Sequence, residues 1–395
     1  MTRRTLLFSF SFAFTFFSAI AAVMPGVASA ANQPVIVGTK SASCAAQYPT
    51  IQAGVDAASP GGAVRICPGI YKEQVTITKP VTLHGENAVV IEPSNVTANA
   101  TGTGSGQPIA AIVLVKDTTD VDIDNVIVDG ANNGISGCSP DLVGIFYQNA
   151  SGEVNHAAVR NTMLSPSLNG CQSGDAILIQ SGGGEMSIVN VENSSVHDYQ
   201  KNGITANESG TQVQIDHNVI TGIGPTTGAT QNGIQIGFGA AGSITGNTVA
   251  NNVWSPCTSL QSCDNTAIGI LVFQSDNVVV QRNREGVAQV GIAINGNHAQ
   301  VEHNQVFDSM VADGVELIGS DNEARNNTVT HSDHAAIFIS GNDNVVEQNT
   351  IDEAPFGVLK VSGSEGNVIA NNQSFNTAVT VQDPSDGTSK ASPYR

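Results

Sequence analysis

Two repeats that run in phase predict an all-β solenoid with one coil per repeat. The first is an asparagine after a short run of Val and Ile, spaced 21, 23, 22 and 23 residues apart over its last five members. The second is a Gly-Ile or Ala-Ile pair that opens an alternating segment, as in Gly291-Ile292-Ala293-Ile294. Because a strand–helix–strand unit needs roughly 30 residues, this period predicts a single-stranded parallel β-helix. Each coil is expected to be strand, turn, strand, turn.

Composition fits one elongated domain. The chain has 41 Gly among 395 residues and only 12% charged residues, against about 25% in an average globular protein. Small residues suit tight turns, and Val and Ile suit strands. The predicted segments are a secretory signal peptide (1–30), an N-terminal cap with the first coils (31–100), the β-helix repeats (101–380) and a flexible C-terminal tail (381–395).

The recurring asparagines are predicted to form a structural ladder. Asn tolerates the left-handed backbone of tight corners. Its amide can also bond to the equivalent amide on the next coil, about 4.8 Å away. We expect this ladder to stabilise the coils without a chemical role. Its most regular members are Asn283, Asn304, Asn327, Asn349 and Asn372.

The first thirty residues have the pattern of a cleaved signal peptide. Arg3 and Arg4 precede a strongly apolar stretch at residues 6–22, and Ala28-Ser29-Ala30 supplies a small-x-small cleavage site. A membrane anchor is the alternative, but the helix-breaking Pro25-Gly26 favours cleavage. The prediction is a secreted, periplasmic or cell-surface protein without membrane insertion after cleavage.

The charge balance restricts the partners. The chain carries 15 basic and 34 acidic residues, and removal of Arg3 and Arg4 leaves 13 against 34, a net charge of −21. Nucleic acid is excluded because it requires a basic surface. Polyuronates would need a bridging cation. The Asp- and Asn-rich surface makes Ca²⁺ a candidate cofactor, and solubility alone is the alternative reason for these charges.

Six cysteines in an exported chain predict three disulfides. Cys138 and Cys171 precede the Gly-Ile motif of consecutive coils by nearly the same number of residues, so they should be neighbours. Cys257 and Cys263 close a short loop, which leaves Cys44 with Cys67. A metal site is the alternative, but the zinc-type pair C-x₂-C is absent from the sequence.

The amino end differs from the repeats. Residues 48–58 predict a short helix with Thr50 as N-cap and with Ile51, Val55 and Ala58 on one face. Because an open solenoid end exposes its core and its backbone edge, we expect this helix to cap the first coil.

The run at residues 48–87, YPTIQAGVDAASPGGAVRICPGIYKEQVTITKPVTLHGEN, resembles the start of pectin methylesterases of the pectate-lyase-like superfamily. The later NGI…N coils are similar to the right-handed parallel β-helix repeats of secreted bacterial proteins. The resemblance implies a right-handed β-helix. It also implies a superfamily of lyases, polygalacturonases, methylesterases, epimerases and tailspikes, so the fold alone does not select an activity.

The catalytic motifs of these relatives do not carry over. The Asp-containing strings of the esterases and the Gly-His-Gly of polygalacturonases are absent from the sequence. The repeats are also poor in the Arg and Lys that lyases use with Ca²⁺. The segment His331-Ser332-Asp333-His334 has the ingredients of the Asp-Pro-His-Asp of alginate epimerases in another order. The resemblance therefore assigns no catalytic residue.

Register offers a candidate site of its own. Asp308, His331 and Glu353 each come four residues after a ladder asparagine, so they should form an acid–imidazole–acid column. Such a column can act as an oriented base or bind a metal; a chance collection of polar corner residues is the third interpretation.

Trp254, the only tryptophan, lies in a long insertion and is a candidate substrate-binding platform; packing back on the solenoid is the alternative. The leading functional prediction is a protein that binds or modifies extracellular polysaccharide, of the lyase or epimerase kind if it is an enzyme. The rival is a non-catalytic surface, adhesion or structural module.

Overall fold

The computed structural model describes residues 33–382 apart from 261, 262 and 264. Within that range the strand pairings are parallel, except for one short antiparallel pair near the amino end. The chain is a right-handed parallel β-helix repeat protein, as the resemblance implies. The predicted signal peptide (1–30) and residues 383–395 of the predicted tail lie outside the described residues, whereas residues 381 and 382 end the last strand.

The amino end and first coils contain β1 (Val35–Val37), α1 (Ile51–Ala57), β2 (Gly62–Ile66), β3 (Gly69–Tyr71), β4 (Val75–Ile77), β5 (Val81–Gly85), β6 (Val89–Ile91), β7 (Ala100–Thr101) and β8 (Pro108–Lys116). The next coils are β9 (Val121–Asp124), β10 (Ile127–Asp129) and β11 (Asp141–Gln148); β12 (Gly152–Asn155), β13 (Ala158–Thr162) and β14 (Asp175–Gln180), with a 3₁₀ turn at Pro166–Leu168; β15 (Ser187–Glu192), β16 (Ser195–Tyr199) and β17 (Asn202–Asn207).

The remaining coils are β18 (Thr211–Asp216), β19 (Val219–Thr226) and β20 (Asn232–Gly237); β21 (Ala241–Thr245), β22 (Thr248–Trp254) and β23 (Ile268–Phe273); β24 (Val279–Gln281), β25 (Arg284–Ala288) and β26 (Val290–Asn295); β27 (Gln300–Glu302), β28 (Gln305–Ser309) and β29 (Val315–Leu317); β30 (Glu323–Arg325), β31 (Thr328–Ser332) and β32 (Ala335–Ile339); β33 (Val345–Glu347) and β34 (Thr350–Lys360); β35 (Val368–Ala370) and β36 (Gln373–Gln382).

Each regular coil therefore contributes three strands, and the β-helix has three faces. The first strands form face A, a 13-stranded sheet. The second strands form face B and the third strands form face C; β34 and β36 run through both of these faces. Side chains that point inward from all three faces form one core, which extends from Val37 to Val358.

The predicted coil of two strands is wrong. The segment after each ladder asparagine, interpreted as a turn, is the strand of face B, for example β28. These strands are short, and their second-last residue is left-handed, as is Asp308 in β28 with φ of 56°. Their alternation is therefore too brief to stand out in the sequence.

The asparagine ladder is present between faces A and B. The side chain of each member accepts from the backbone N–H and the amide of the preceding member; for Asn304 and Asn327 these distances are 2.9 and 3.0 Å. Each amide also donates to a carbonyl of the coil before, as Asn327 does to Val301 at 2.8 Å. The same bonds link Asn283, Asn304, Asn327, Asn349 and Asn372.

The ladder asparagines from Asn283 to Asn372 do not themselves adopt the left-handed backbone that was predicted for them. The left-handed residue at this corner is not the asparagine but the residue before it, for example Asn326 and Gln348 with φ of 55° and 59°. The asparagine side chain points inward, where it replaces the backbone bonds that the turn cannot form. A second ladder, which the sequence analysis missed, joins Asn322, Asn344 and Asn367 at the corner before face A.

Helix α1 begins after Thr50, whose hydroxyl accepts from the backbone N–H of Ala53 at 3.2 Å. The Glu73 carboxylate accepts from the first two backbone N–H groups of the helix, a favourable place for negative charge. Gly54 faces Val37, and a Cβ atom there would collide with the valine. The role of the helix as a cap of the first coil stays a prediction.

All three predicted disulfides are confirmed: Cys44–Cys67, Cys138–Cys171 and Cys257–Cys263, with Cα–Cα distances of 6.1, 5.2 and 4.6 Å. The alignment of the repeats predicted the Cys138–Cys171 pair correctly because its two cysteines lie on neighbouring coils. Disulfides persist in oxidising compartments, so the chain is secreted or periplasmic. Among the described residues, no helix is long and apolar enough to cross a membrane.

Candidate functional site

The structure aligns Asp308, His331 and Glu353 on successive coils, at the corner between faces B and C, as register predicted. His331 Nδ1 lies 2.8 Å from Asp308 Oδ1. That hydrogen bond raises the pKa of His331, and the carboxylates of Asp333 and Glu353 contribute to the rise. The His331 and Asp308 side chains are 57% and 47% exposed. An exposed corner offers little exclusion of water, so the catalytic role of this column stays a hypothesis.

Trp254 packs on the solenoid. Its indole Nε1–H donates to the carbonyl of Gly228 at 3.0 Å, and its side chain is half-buried. The side chain of Gln289 bonds to the backbone of both Trp254 and Ala267, which fixes the two ends of the insertion. The tryptophan therefore supports a loop; its predicted role in substrate binding stays untested.

A polar window lies on the outer side of face C. One outward position can be followed from coil to coil by strand register. It is apolar on β8, β11 and β14, polar on β17 and β20, and apolar again on β23 and β26. The residues in this order are Leu114, Phe146, Leu178, Thr205, Gln235, Leu271 and Ala293.

The window is the floor of a groove of about 920 Å³. This volume lies within the range of small-molecule sites in proteins, about 300–1,000 Å³. The lining includes carboxyl, amide, hydroxyl, lysine and phenylalanine side chains from several coils. Its polar members are Ser105, Asp141, Gln172, Asp175, Gln180, Lys201, Asn202, Thr205, Asn207, Glu208, Thr230, Asn232, Gln235, Asn265 and Thr266.

Two carboxyl groups of the groove have perturbed pKa values. Asp141 Oδ1 accepts from the backbone N–H of Gly174 at 3.1 Å, and Asp175 Oδ1 lies 3.3 Å from the Thr205 hydroxyl. Burial raises the pKa of Asp141 to about 6. Burial, followed by the charge of Asp141, raises the pKa of Asp175 to about 8. Near neutral pH the pair therefore holds one proton, mostly on Asp175.

Lys201 is the basic group beside this pair. Burial lowers the pKa of Lys201, and the carboxylate of Asp175 opposes that shift. The ammonium Nζ donates to the carbonyl of Thr230 at 2.9 Å, which holds it at the edge of the groove. Its positive charge in turn limits the rise in the pKa of Asp175.

Amides line the floor beyond the carboxyl pair. Asn232 donates to Gln235 at 3.2 Å, and Gln235 donates to Asn207 at 3.0 Å. Within the described part of the chain, the buried Oδ1 of Asn202 has no hydrogen-bond partner. Because buried polar atoms are nearly always paired, this oxygen is an unsatisfied acceptor beneath the groove floor.

Two phenylalanines form one rim of the groove. Phe238 and Phe273 make an edge-to-face pair with ring centroids 5.3 Å apart. Phe238 is 45% exposed, although phenylalanine side chains are usually buried. The pair gives the groove an apolar surface beside its polar floor, the combination that a sugar ring requires.

Sequence reasoning missed this groove. It searched the corner after the ladder asparagines, whereas Asp141 and Asp175 stand at the start of strands of face C, just before the Gly144-Ile145 and Ala176-Ile177 pairs. A signal was present: the outward residue of the Gly-Ile segment changes from apolar to polar only at Thr205 and Gln235 among the central coils.

Comparisons with known proteins agree on the fold. A family model described as "Periplasmic copper-binding protein (NosD)" matches residues 258–390, about a third of the chain. No curated protein is similar enough in sequence to match. The GH136 lacto-N-biosidase from Eubacterium ramulus superposes with a TM-score of 0.59 at 11% identity, over 87% of this chain and 68% of that one.

The Dettilon tailspike protein superposes with a TM-score of 0.56 at 11% identity, over 82% of this chain and 63% of that one. The mannuronan C-5 epimerase A-module from Azotobacter vinelandii has a TM-score of 0.49 at 13% identity, over 84% and 92%. For the biosidase and the tailspike, an identity of 11% means that the similarity concerns the β-helix fold and does not extend to activity.

Copper binding finds no support in the described residues. Among them, no group of three or more His, Cys, Asp or Glu side chains is placed to hold a metal ion. Cys257 and Cys263, at the start of the matched region, are joined in a disulfide. That Ca²⁺ is a cofactor stays a hypothesis.

Proposed function

We propose that the groove binds a neutral glycan and hydrolyses a glycosidic bond, with Asp175 as the general acid and Asp141 as the ionised partner. The observation that carries the proposal is the carboxyl pair, whose pKa values of about 6 and about 8 keep one group charged and the other protonated near neutral pH. Two carboxyls in these different states are what hydrolysis of a glycoside requires.

In the proposed reaction, Asp175 donates its proton to the glycosidic oxygen as the bond between that oxygen and the anomeric carbon breaks. The carboxylate of Asp141 assists attack on the anomeric carbon. Water supplies the hydroxyl group that the carbon gains, and its remaining proton restores the acid. Lys201, held by the Thr230 carbonyl, positions Asp175 and limits its pKa.

A neutral glycan fits the charge of the groove better than a polyuronate. Asp141, Asp175 and Glu208 line it against one half-buried lysine, Lys201. A uronate would add like charges at short range, which are unfavourable in a partly desolvated site. Asn202, Asn232 and Gln235 instead offer hydrogen bonds suited to hydroxyl or acetamido groups.

Three variants test the assignment: Asp175→Asn, Asp141→Asn and, as a matched acid-to-amide control, Asp308→Asn at the exposed corner. The assay measures release of reducing ends from a panel of neutral oligosaccharides. Each groove variant should lower kcat by about 10²–10⁴, the usual share of a general acid or base, and the control should leave it unchanged. The melting temperature of each variant is measured in parallel.

The pH dependence gives a second test. Activity should rise as pH increases through about 6, where Asp141 ionises, and should fall above about 8, where Asp175 loses its proton. Both limbs of this pH profile report the carboxyl pair as a coupled system.

Full activity of both groove variants, with loss of activity in Asp308→Asn, would relocate the chemistry to the His331 column. Glycan binding without turnover would favour the adhesion module.

A further inference from the structure

The groove on face C is closed at both ends along the axis of the β-helix. Thr205 and Gln235 line the groove, whereas the apolar residues that align with them on the coils before and after are covered by other parts of the chain. Together the two covers decide how much of a glycan chain can enter.

The first cover, the amino-terminal wall, consists of residues 97–107. Its backbone is tied to the sheet by the Asn99 side chain, which exchanges two hydrogen bonds with Ala111 at 3.0 and 2.9 Å. Gln148 and Gln180 bind the carbonyl of Thr101 and the N–H of Thr103.

The tip of the amino-terminal wall reaches the turn after β17. A Cβ atom on Gly182 would collide with Thr103, and one on Gly104 would collide with the carboxylate of Glu208. The wall is therefore in van der Waals contact with two later coils and leaves no passage beneath it. Phe146, underneath it, is fully buried.

The second cover, the disulfide wall, consists of the described residues of the Cys257–Cys263 loop with Asn265 and Thr266. Leu260 packs on Val290, Ala293 and Ala312, the outward residues of the coils that follow the window. Asn265 and Thr266 line the groove. Gln289, only 1% exposed, holds both ends of the insertion.

We infer that this groove accepts a chain end or a short oligosaccharide of about three rings and excludes the interior of a long polymer, so that cleavage is exo-acting. The lining of the groove spans β14, β17, β20 and β23, three spacings of about 4.8 Å, or about 14 Å. A glycan laid along the axis would meet the amino-terminal wall at one end and the disulfide wall at the other.

This inference rests on the proposed function, since it describes the same groove, but it has a separate readout. The probe is a set of neutral gluco-, xylo-, manno- and chito-oligosaccharides from disaccharide to decasaccharide, together with their parent polymers. On whichever series is cleaved, the wild-type protein should release one short product size. Solution viscosity should hardly fall while reducing ends accumulate. The rate per gram should fall as the chains lengthen, because fewer ends are present.

Early loss of viscosity with products of mixed size would overturn the inference while leaving glycoside hydrolysis intact. The glycan chain would then cross face C between the two walls. Absence of both turnover and binding on every series would instead remove the proposed function, and the inference with it. Binding without turnover still tests the walls. In calorimetric titrations, the number of protein molecules bound should be proportional to the number of glycan chain ends. Binding in proportion to polymer mass would refute the closure of the groove at its two ends.

A variant pair localises the effect. Cys257→Ser with Cys263→Ser loosens the disulfide wall, and Cys44→Ser with Cys67→Ser removes a disulfide remote from the groove. The first double variant should gain cleavage of longer chains, with the product-size distribution broadened at least twofold, and the second should keep the wild-type pattern. Circular dichroism confirms folding, and a folded first variant with an unchanged product pattern would contradict a blocking role for this wall.

Discussion

Replacing Asn327 by Leu tests the structural ladder where its geometry is most complete. The side chain is 1% exposed and takes part in four hydrogen bonds. It accepts from the backbone N–H and the amide of Asn304, and it donates to the carbonyl of Val301 and to Asn349. Leucine has a similar size and can form none of these bonds.

The magnitude follows from what remains unpaired. The backbone N–H of Asn304 loses its acceptor and stays buried, which costs about 1–3 kcal/mol. The Asn304 amide keeps its bond to Val280, so that amide and the Val301 carbonyl each lose one bond, worth about 1 kcal/mol apiece. We expect the free energy of unfolding to fall by about 3–5 kcal/mol.

The assay is urea unfolding followed by far-ultraviolet circular dichroism, with hydrogen exchange to show whether the coils around β28 and β31 open first. Asn372→Leu is the matched control: it ends the ladder and is only half-buried, so water can replace its bonds and the loss should be about 1 kcal/mol. An Asn327→Leu protein with an unchanged urea midpoint would refute the ladder as a source of stability. Normal unfolding with abolished glycan binding would reveal a functional role.

Three further predictions follow from individual side chains. Glu285 is fully buried with both carboxyl oxygens unpaired among the described residues, and burial raises its pKa well above the usual value; stability from this group is full below about pH 4.3 and is lost as pH rises. Glu285→Leu should therefore raise the urea midpoint at pH 7. Its gain in the free energy of unfolding over the wild type should grow with pH by up to about 1.4 kcal/mol per pH unit, and a gain that does not depend on pH would contradict this expectation. His331→Asn should leave glycan turnover and the melting temperature nearly unchanged, since the side chain is exposed and Asn tolerates its left-handed backbone; a large drop in kcat would make the column catalytic after all. Trp254→Phe should cost about 0.5–1.5 kcal/mol for the lost bond to Gly228 with unchanged affinity for oligosaccharides by calorimetry, and weakened affinity would restore the tryptophan as a binding platform.

The Glu285 and Asp175 carboxyls show why burial alone does not identify a site. Both have raised pKa values. Glu285 points into the core, where it aligns with Val249 and Val306 of the neighbouring coils. Asp175 instead lines an open groove beside a second carboxyl and a lysine. Only the latter can exchange a proton with a ligand, which is why the functional proposal rests on it.

The repetitive features of this protein were determined by sequence, because a solenoid places residues one period apart in direct contact. The ladder from Asn283 to Asn372 and the Cys138–Cys171 disulfide follow from register alone. The adjacency of Asp308 and His331 follows in the same way. The second strand of each coil, on face B, escaped prediction because five residues with a left-handed residue in fourth place give too little alternation to recognise.

The candidate site was decided by tertiary structure, because it depends on departures from the repeat. Asp141 and Asp175 become a pair through the pairing of β11 with β14, and their pKa values depend on burial, which a spacing does not reveal. The window exists because residues 97–107 and the Cys257–Cys263 loop fold over some coils and leave others open. Such insertions have no period, so the contacts that fix their position are visible only once the chain has folded.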